Sequence, residues 1–140
     1  MRITNQYGLK FHHLGLAVKK PAWAVKFLSG MGYKIGDVVR DDRQNVNLML
    51  CTRPRMPAVE IIYATETSGP LTPILKSNAT MIYHICYESR NREKTMRKLE
   101  ADHNRMLLIS PPQTAVMFPG RKASFYMIIG FGVIEILEPA

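Results

Sequence analysis

The sequence predicts an α+β fold built from two β-α-β-β-β modules, and three observations carry that prediction. Two strand-like stretches, "FHHLGLAV" at residues 11–18 and "MIYHICYE" at residues 81–88, each set histidine into an apolar run. Each is followed by a stretch of helical period and then by short β-rich runs, the last holding a glutamate among apolar residues: "VEIIY" and "IEILE". Between the two series lies "TETSGPLTPILKSNAT", rich in Ser, Thr, Gly and Pro, as a connector should be. Glu60 follows His13, and Glu135 follows His84, at nearly the same separation, so the chain carries an internal repeat. Module one spans about residues 10–64, the connector about 65–80 and module two about 81–139, within a single domain.

Taken in order, alternation along the first strand sends Phe11, His13, Gly15 and Ala17 to one face and His12, Leu14, Leu16 and Val18 to the other. In "KKPAWAVKFLSGMG", Pro21 suits a first helical turn and Gly30 or Gly32 a stop, with Trp23, Phe27 and Leu28 expected on one inward stripe. "YKIGDVVR", "NVNLMLC" and "AVEIIYA" read as three strands, with a loop over Arg53–Pro57 before the last. The connector leaves room for a short helix around Pro73–Ser77. In module two, "SRNREKTMRKLEADHN" is a helix capped by Ser89 or Asn91, with Met96 and Leu99 inward. "RMLLIS", "KASFYMII" and "GVIEILE" supply its strands, and "PPQTAVMFPG" is expected to be a long turn.

Composition narrows the function. At 140 residues, with 46% hydrophobic and 21% charged residues, the chain suits one soluble domain with a real core. A net charge of +8 favours an anionic small-molecule partner, while scattered Lys and Arg with no basic run or interleaved aromatic motif argue against nucleic acid. Cys51 and Cys86 form no C-x-x-C pair and no disulfide framework, which points to the reducing cytoplasm. No apolar run is long enough for a signal peptide or membrane span, so no membrane partner is expected. The nine methionines read as core filler.

A single histidine or glutamate in an apolar strand usually has a structural explanation, but the same pair recurs at matching places. Four such groups buried together would be costly without a partner, and a divalent cation offsets that cost. Two neutral imidazoles and two carboxylates around M²⁺ leave no net charge. This N and O donor set suits Zn, Ni, Co, Mn or Fe(II) better than a closed structural zinc, which usually employs Cys. His12 falls on the face opposite His13 and reads as structural and His103 as near the surface, while Cys86 shares a face with His84, where lining a cleft and simple packing explain it equally well.

The motifs "HHLGLAV…FLSGMGY", "VEIIYA", "YHICYE" and "GVIEILEP", in this order, resemble the vicinal oxygen chelate superfamily, the glyoxalase/bleomycin resistance/dioxygenase group. The resemblance covers about residues 10–139, and "HLGLAV", "YHICYE" and "IEILEP" are most similar to the methylmalonyl-CoA epimerases, with lactoylglutathione lyases (glyoxalase I) next. It implies two βαβββ modules in a cupped, U-shaped mixed sheet with helices outside. One divalent metal ion would be held by His13, Glu60, His84 and Glu135. It also implies proton abstraction next to a carbonyl, at the α-carbon of an acyl-CoA thioester such as methylmalonyl-CoA, with Glu135 or Glu60 as base, in a homodimer. One departure stands out. Some epimerases carry a further acid on the strand that here reads "QNVNLMLC", where this chain has Asn45, Asn47 and apolar residues, although Gln44 fits the pattern. A glyoxalase I-type lyase and a metal-free binding or antibiotic-resistance protein remain the alternatives, because one fold carries many chemistries.

Overall fold

In the computed structural model, which describes residues 5–69, 72–77 and 80–140, the alternating and helical patterns become nine strands and three helices. They run β1 (Leu9–Val18), α1 (Ala22–Gly30), β2 (Lys34–Ile35), β3 (Val39–Asp41), β4 (Val46–Thr52), β5 (Ala58–Ala64), α2 (Thr72–Ser77), β6 (Thr80–Ser89), α3 (Arg92–Ala101), β7 (Met106–Thr114), β8 (Lys122–Ile128) and β9 (Gly132–Leu137). The class is the mixed α+β one expected. The short connector helix is present as α2, while Pro70, Leu71, Asn78 and Ala79 of the connector lie outside the described residues. Two compact units emerge, residues 13–83 and residues 84–140 with 5–12.

In the first unit, β1 from His13 onward pairs in parallel with β5, β5 pairs antiparallel with β4, and β4 carries β2 and β3. One face of this sheet packs under α1: Val18, Met49, Cys51 and Ile61 join Leu28, with Leu16, Ala24, Val25 and Val59 around them. Pro21 sits at the N-cap position in helical conformation. Gly32, at φ +87°, ends α1, where the Tyr33 N–H donates to Leu28 O at 2.9 Å and the Gly32 N–H to Ser29 O at 3.0 Å.

Two expectations fail here. Only Leu28 of the expected stripe is buried, while Trp23 and Phe27 are exposed, because Ala24, Val25 and Leu28 make the face that meets the sheet. Nor is "YKIGDVVR" one strand: it breaks into β2 and β3 around Gly36, whose N–H donates to Leu50 O at 3.0 Å.

In the second unit, β6 pairs in parallel with β9, and β9, β8 and β7 follow antiparallel, so first and last strands are again parallel neighbours. Asn91 caps α3, its Oδ1 accepting from the Lys94 N–H at 3.0 Å. Leu99 is buried and Met96 packs on Tyr126, Ile134 and Ile136, as the helical period predicts. The expected long turn is wrong in its first part. Strand β7 continues through Pro111 and Pro112 to Thr114, with register shifts between Leu108 and Gln113. Proline is tolerated there because, among the described residues, β7 pairs only with β8, and the irregularities absorb its missing N–H. The methionines are not chiefly core filler either: among the described residues only Met49 is buried, and Met31 and Met56 are exposed.

Gly36 gives the sharpest test of this packing. A Cβ there would stand 2.4 Å from Leu50 O, inside the hydrogen bond that carries the chain from β2 to β3. Gly36→Ala should therefore cost about 1–3 kcal/mol of stability in urea denaturation, as overpacking does; an unchanged midpoint would contradict this contact.

Candidate metal centre and catalytic carboxylates

Each unit builds the same buried pair by the same register. In the first, Gly15 on β1 is the parallel partner of Glu60 on β5, and His13 lies two residues earlier on the same face of β1. In the second, Cys86 on β6 is the partner of Glu135 on β9, and His84 lies two residues before Cys86. The imidazole therefore stands diagonally behind the carboxylate in both. His13 Nε2 is 3.7 Å from Glu60 Oε1, and His84 Nε2 is 3.1 Å from Glu135 Oε1. All four side chains are buried: His13 at 0%, His84 at 3%, Glu60 at 5% and Glu135 at 6% exposure.

The surroundings differ between the units. Glu60 is flanked along β5 by Val59 and Ile61 and lies opposite Leu50 of β4. Glu135 is flanked by Ile134 and Ile136 and lies opposite Phe125 of β8, whose ring meets His84 edge-on at 5.3 Å. Phe125 is the site residue that reading the sequence missed. Its signal was present: Gly130 and Gly132, both at positive φ, bracket the β8–β9 turn, and counting outward from it sets Phe125 against Glu135.

The other singled-out residues take structural places. His12 packs edge-on to Phe118 at 5.0 Å. His103, at φ +61°, is exposed just after α3. Cys86 is buried with Ala123 and Leu137, and among the described residues neither Cys51 nor Cys86 is in a disulfide. Burial pushes the Cys51 thiol up despite a hydrogen bond from the Gly36 backbone, which leaves it unreactive. Gln44 organises the β3–β4 turn, its Nε2 donating to Asp41 Oδ2 at 3.0 Å and its backbone N–H to Asp41 Oδ1 at 3.3 Å.

The donor chemistry of each pair fits a divalent metal. Nitrogen and oxygen ligands lie about 2.0–2.2 Å from such an ion, so two at right angles around it stand about 3 Å apart. The 3.1 Å separation in the second unit matches that spacing, and 3.7 Å in the first corresponds to a wider angle. The imidazole and carboxylate that each unit holds are donors of the hard-to-borderline kind that Zn, Ni, Co, Mn and Fe(II) accept.

The comparisons agree with this architecture. The profile of the Glyoxalase/Bleomycin resistance protein/Dioxygenase superfamily matches residues 12–125, so the chain belongs to that superfamily. No curated protein sequence matches significantly. Among solved structures, methylmalonyl-CoA epimerase from Mycobacterium tuberculosis is similar with a TM-score of 0.81 at 16% identity, over 99% of this chain and 93% of that one. A hypothetical protein from Bacillus halodurans is similar at 0.79, also at 16% identity, over 94% and 95%. A variant of Streptomyces coelicolor methylmalonyl-CoA epimerase in complex with 2-nitronate-propionyl-CoA gives 0.73 at 16% identity, over 94% and 97%. At this identity the likeness establishes the glyoxalase-like fold.

Beside the second pair, Glu88 accepts from Arg121 Nη2 at 2.8 Å. Burial would raise the Glu88 carboxyl, but the Arg121 hydrogen bond and the charges of His12, Arg121 and Lys10 outweigh it and hold the group below its ordinary value. A carboxyl held low contributes stability that is full above its unfolded pKa and drains away as pH falls through the folded one. Glu88→Gln should therefore be less stable than the parent at neutral pH, with the gap closing in acid, as followed by urea denaturation across pH. A gap independent of pH would show that the charge contributes nothing.

Proposed function

We propose that His13, Glu60, His84 and Glu135 together hold one divalent metal ion in a single two-module domain, and that the protein is a metal-dependent isomerase or epimerase. Its substrate would be an anionic α-acidic carbonyl compound, specifically an acyl-CoA thioester such as methylmalonyl-CoA. The observation that carries this reading is the diagonal, buried His–Glu pair repeated in both units. Membership of the superfamily and the net charge of +8 support it. The fold is also shared with methylmalonyl-CoA epimerases, one solved with methylmalonyl-CoA bound.

A bound divalent ion supplies Lewis acidity, which stabilises charge on a carbonyl oxygen when the adjacent carbon loses its proton. The two imidazoles fix the site. Glu135 and Glu60 are the candidate bases, because both carboxylates are buried, where water does not compete for the proton they would take from carbon. Removing the α-proton with one carboxylate and returning a proton to either face epimerises the centre, and the balance needs no co-reactant. On β4, Leu50 and Leu48 face the same side as Glu60, so this strand adds no acid and the proton transfers fall to Glu60 and Glu135.

We further propose a cytoplasmic homodimer. Two buried cysteines that, among the described residues, are in no disulfide support the compartment. The outer strand β7, with Leu107, Leu108 and Ile109 exposed and no charge from Met106 to Ser110, supports the pairing of two copies. Light scattering at tens of micromolar should return twice the chain mass, and a monomer there would contradict it.

The function is tested by solvent deuterium wash-in at the α-carbon of methylmalonyl-CoA, with and without added Co²⁺. Exchange should require metal and fall by about 10²–10⁴ in Glu135→Gln, the usual loss for a general base. His13→Ala should lower the metal content of the purified protein by elemental analysis, whatever its activity. Conversion of a glutathione hemithioacetal without thioester exchange would replace the epimerase by a glyoxalase I-type lyase. Protein that takes up no metal and shows neither activity would be a metal-free binding protein of the same fold.

A further inference from the structure

The exposed side of α1 has no role in the core or in the chemistry proposed above. Trp23, Phe27 and Met31 follow one another at helical spacing along it, at 76%, 68% and 41% exposure. The opposite side, Ala24, Val25 and Leu28, already meets the sheet, so the ridge is surplus to the fold. Three such side chains on adjacent turns form a contiguous apolar patch, which marks a contact surface more often than chance.

Its charge surroundings are one-sided. Lys19 and Lys20 precede the helix, and Lys26 Nζ lies 5.2 Å over the Trp23 ring. The Arg53–Pro57 loop is tied to the far end of α1: the Tyr33 hydroxyl donates to Pro57 O at 2.8 Å, and a Cβ on Gly32 would stand 3.2 Å from Arg53 Nε. That loop adds Arg53, Arg55 and the exposed Met56. Among the described residues none of these five cations forms an ion pair, and no Asp or Glu occurs from Lys19 to Gly36.

A second copy of the chain is a poor occupant, because it would press five cations against five. The face requires a partner that is anionic and that yields to a protruding ridge. We propose that the α1 face docks the protein on the surface of a bilayer containing anionic lipid, with Trp23, Phe27 and Met31 entering the headgroup boundary and Lys19, Lys20, Lys26, Arg53 and Arg55 above the lipid charges. The attachment is peripheral: among the described residues no helix is long and apolar enough to cross a membrane.

Trp23 is the only tryptophan of the chain, so its fluorescence reports on this face alone. Vesicles of phosphatidylcholine and phosphatidylserine in equal parts should shift its emission to the blue and sediment the protein, and pure phosphatidylcholine should do neither. Lys19→Glu with Lys20→Glu should weaken the binding at least about tenfold, as should raised salt. Phe27→Ala should weaken it about tenfold while leaving the circular dichroism unchanged. No shift with the anionic vesicles, or undiminished sedimentation of Trp23→Ala with Phe27→Ala, would overturn the proposal. A shift produced by polyglutamate but not by vesicles would also overturn it, assigning the face to an acidic protein.

Discussion

A carboxylate set between β-branched apolar residues in the middle of a buried strand is the constraint on which the rest of the structure turns. Glu60 and Glu135 each occupy such a place, and an isolated ionised carboxylate there is costly. The parallel pairing of the first and last strand in each unit answers that cost, because it brings a histidine diagonally behind the carboxylate on the same face. Parallel strands need a crossover between them, and α1 and α3 lie in those crossovers in sequence. The helices, the hairpins and the odd position of His13 and His84 are therefore one arrangement seen from several sides.

The repeat makes the arrangement legible from sequence. Strand periodicity placed His13 apart from His12, and Leu14, Leu16 and Val18 apart from Gly15 and Ala17; Leu16 and Val18 do pack under α1. The Asn91 cap and the inward Leu99 follow from local chemistry that needs no tertiary information. The mixed α+β class followed from the order of elements alone.

What escaped the sequence was decided by packing partners. Helix α1 is apolar on two sides, and periodicity cannot tell which side the sheet selects. The smaller residues Ala24 and Val25 let the helix sit close, so the aromatics were left outside. Pro111 and Pro112 look like turn residues until it is known that, among the described residues, β7 has a neighbour on only one side. Gln44 carries a signal that suggests chemistry, yet its amide holds Asp41 in a turn, a role visible only once β3 and β4 are paired. Phe125 needed the register of β8 against β9, which depends on where the turn begins.

The two prolines of β7 have a further consequence. An outer strand with exposed Leu107, Leu108 and Ile109 is a template on which other chains can add without limit. Pro111 and Pro112 remove two consecutive backbone donors halfway along, and the register shifts on either side of Ser110 twist the strand where they occur. Only the first half of the strand can then accept a neighbour in regular register. Growth into a fibre, which needs a long flat edge on every added chain, is cut short by two residues that a reading for secondary structure would discard as a loop.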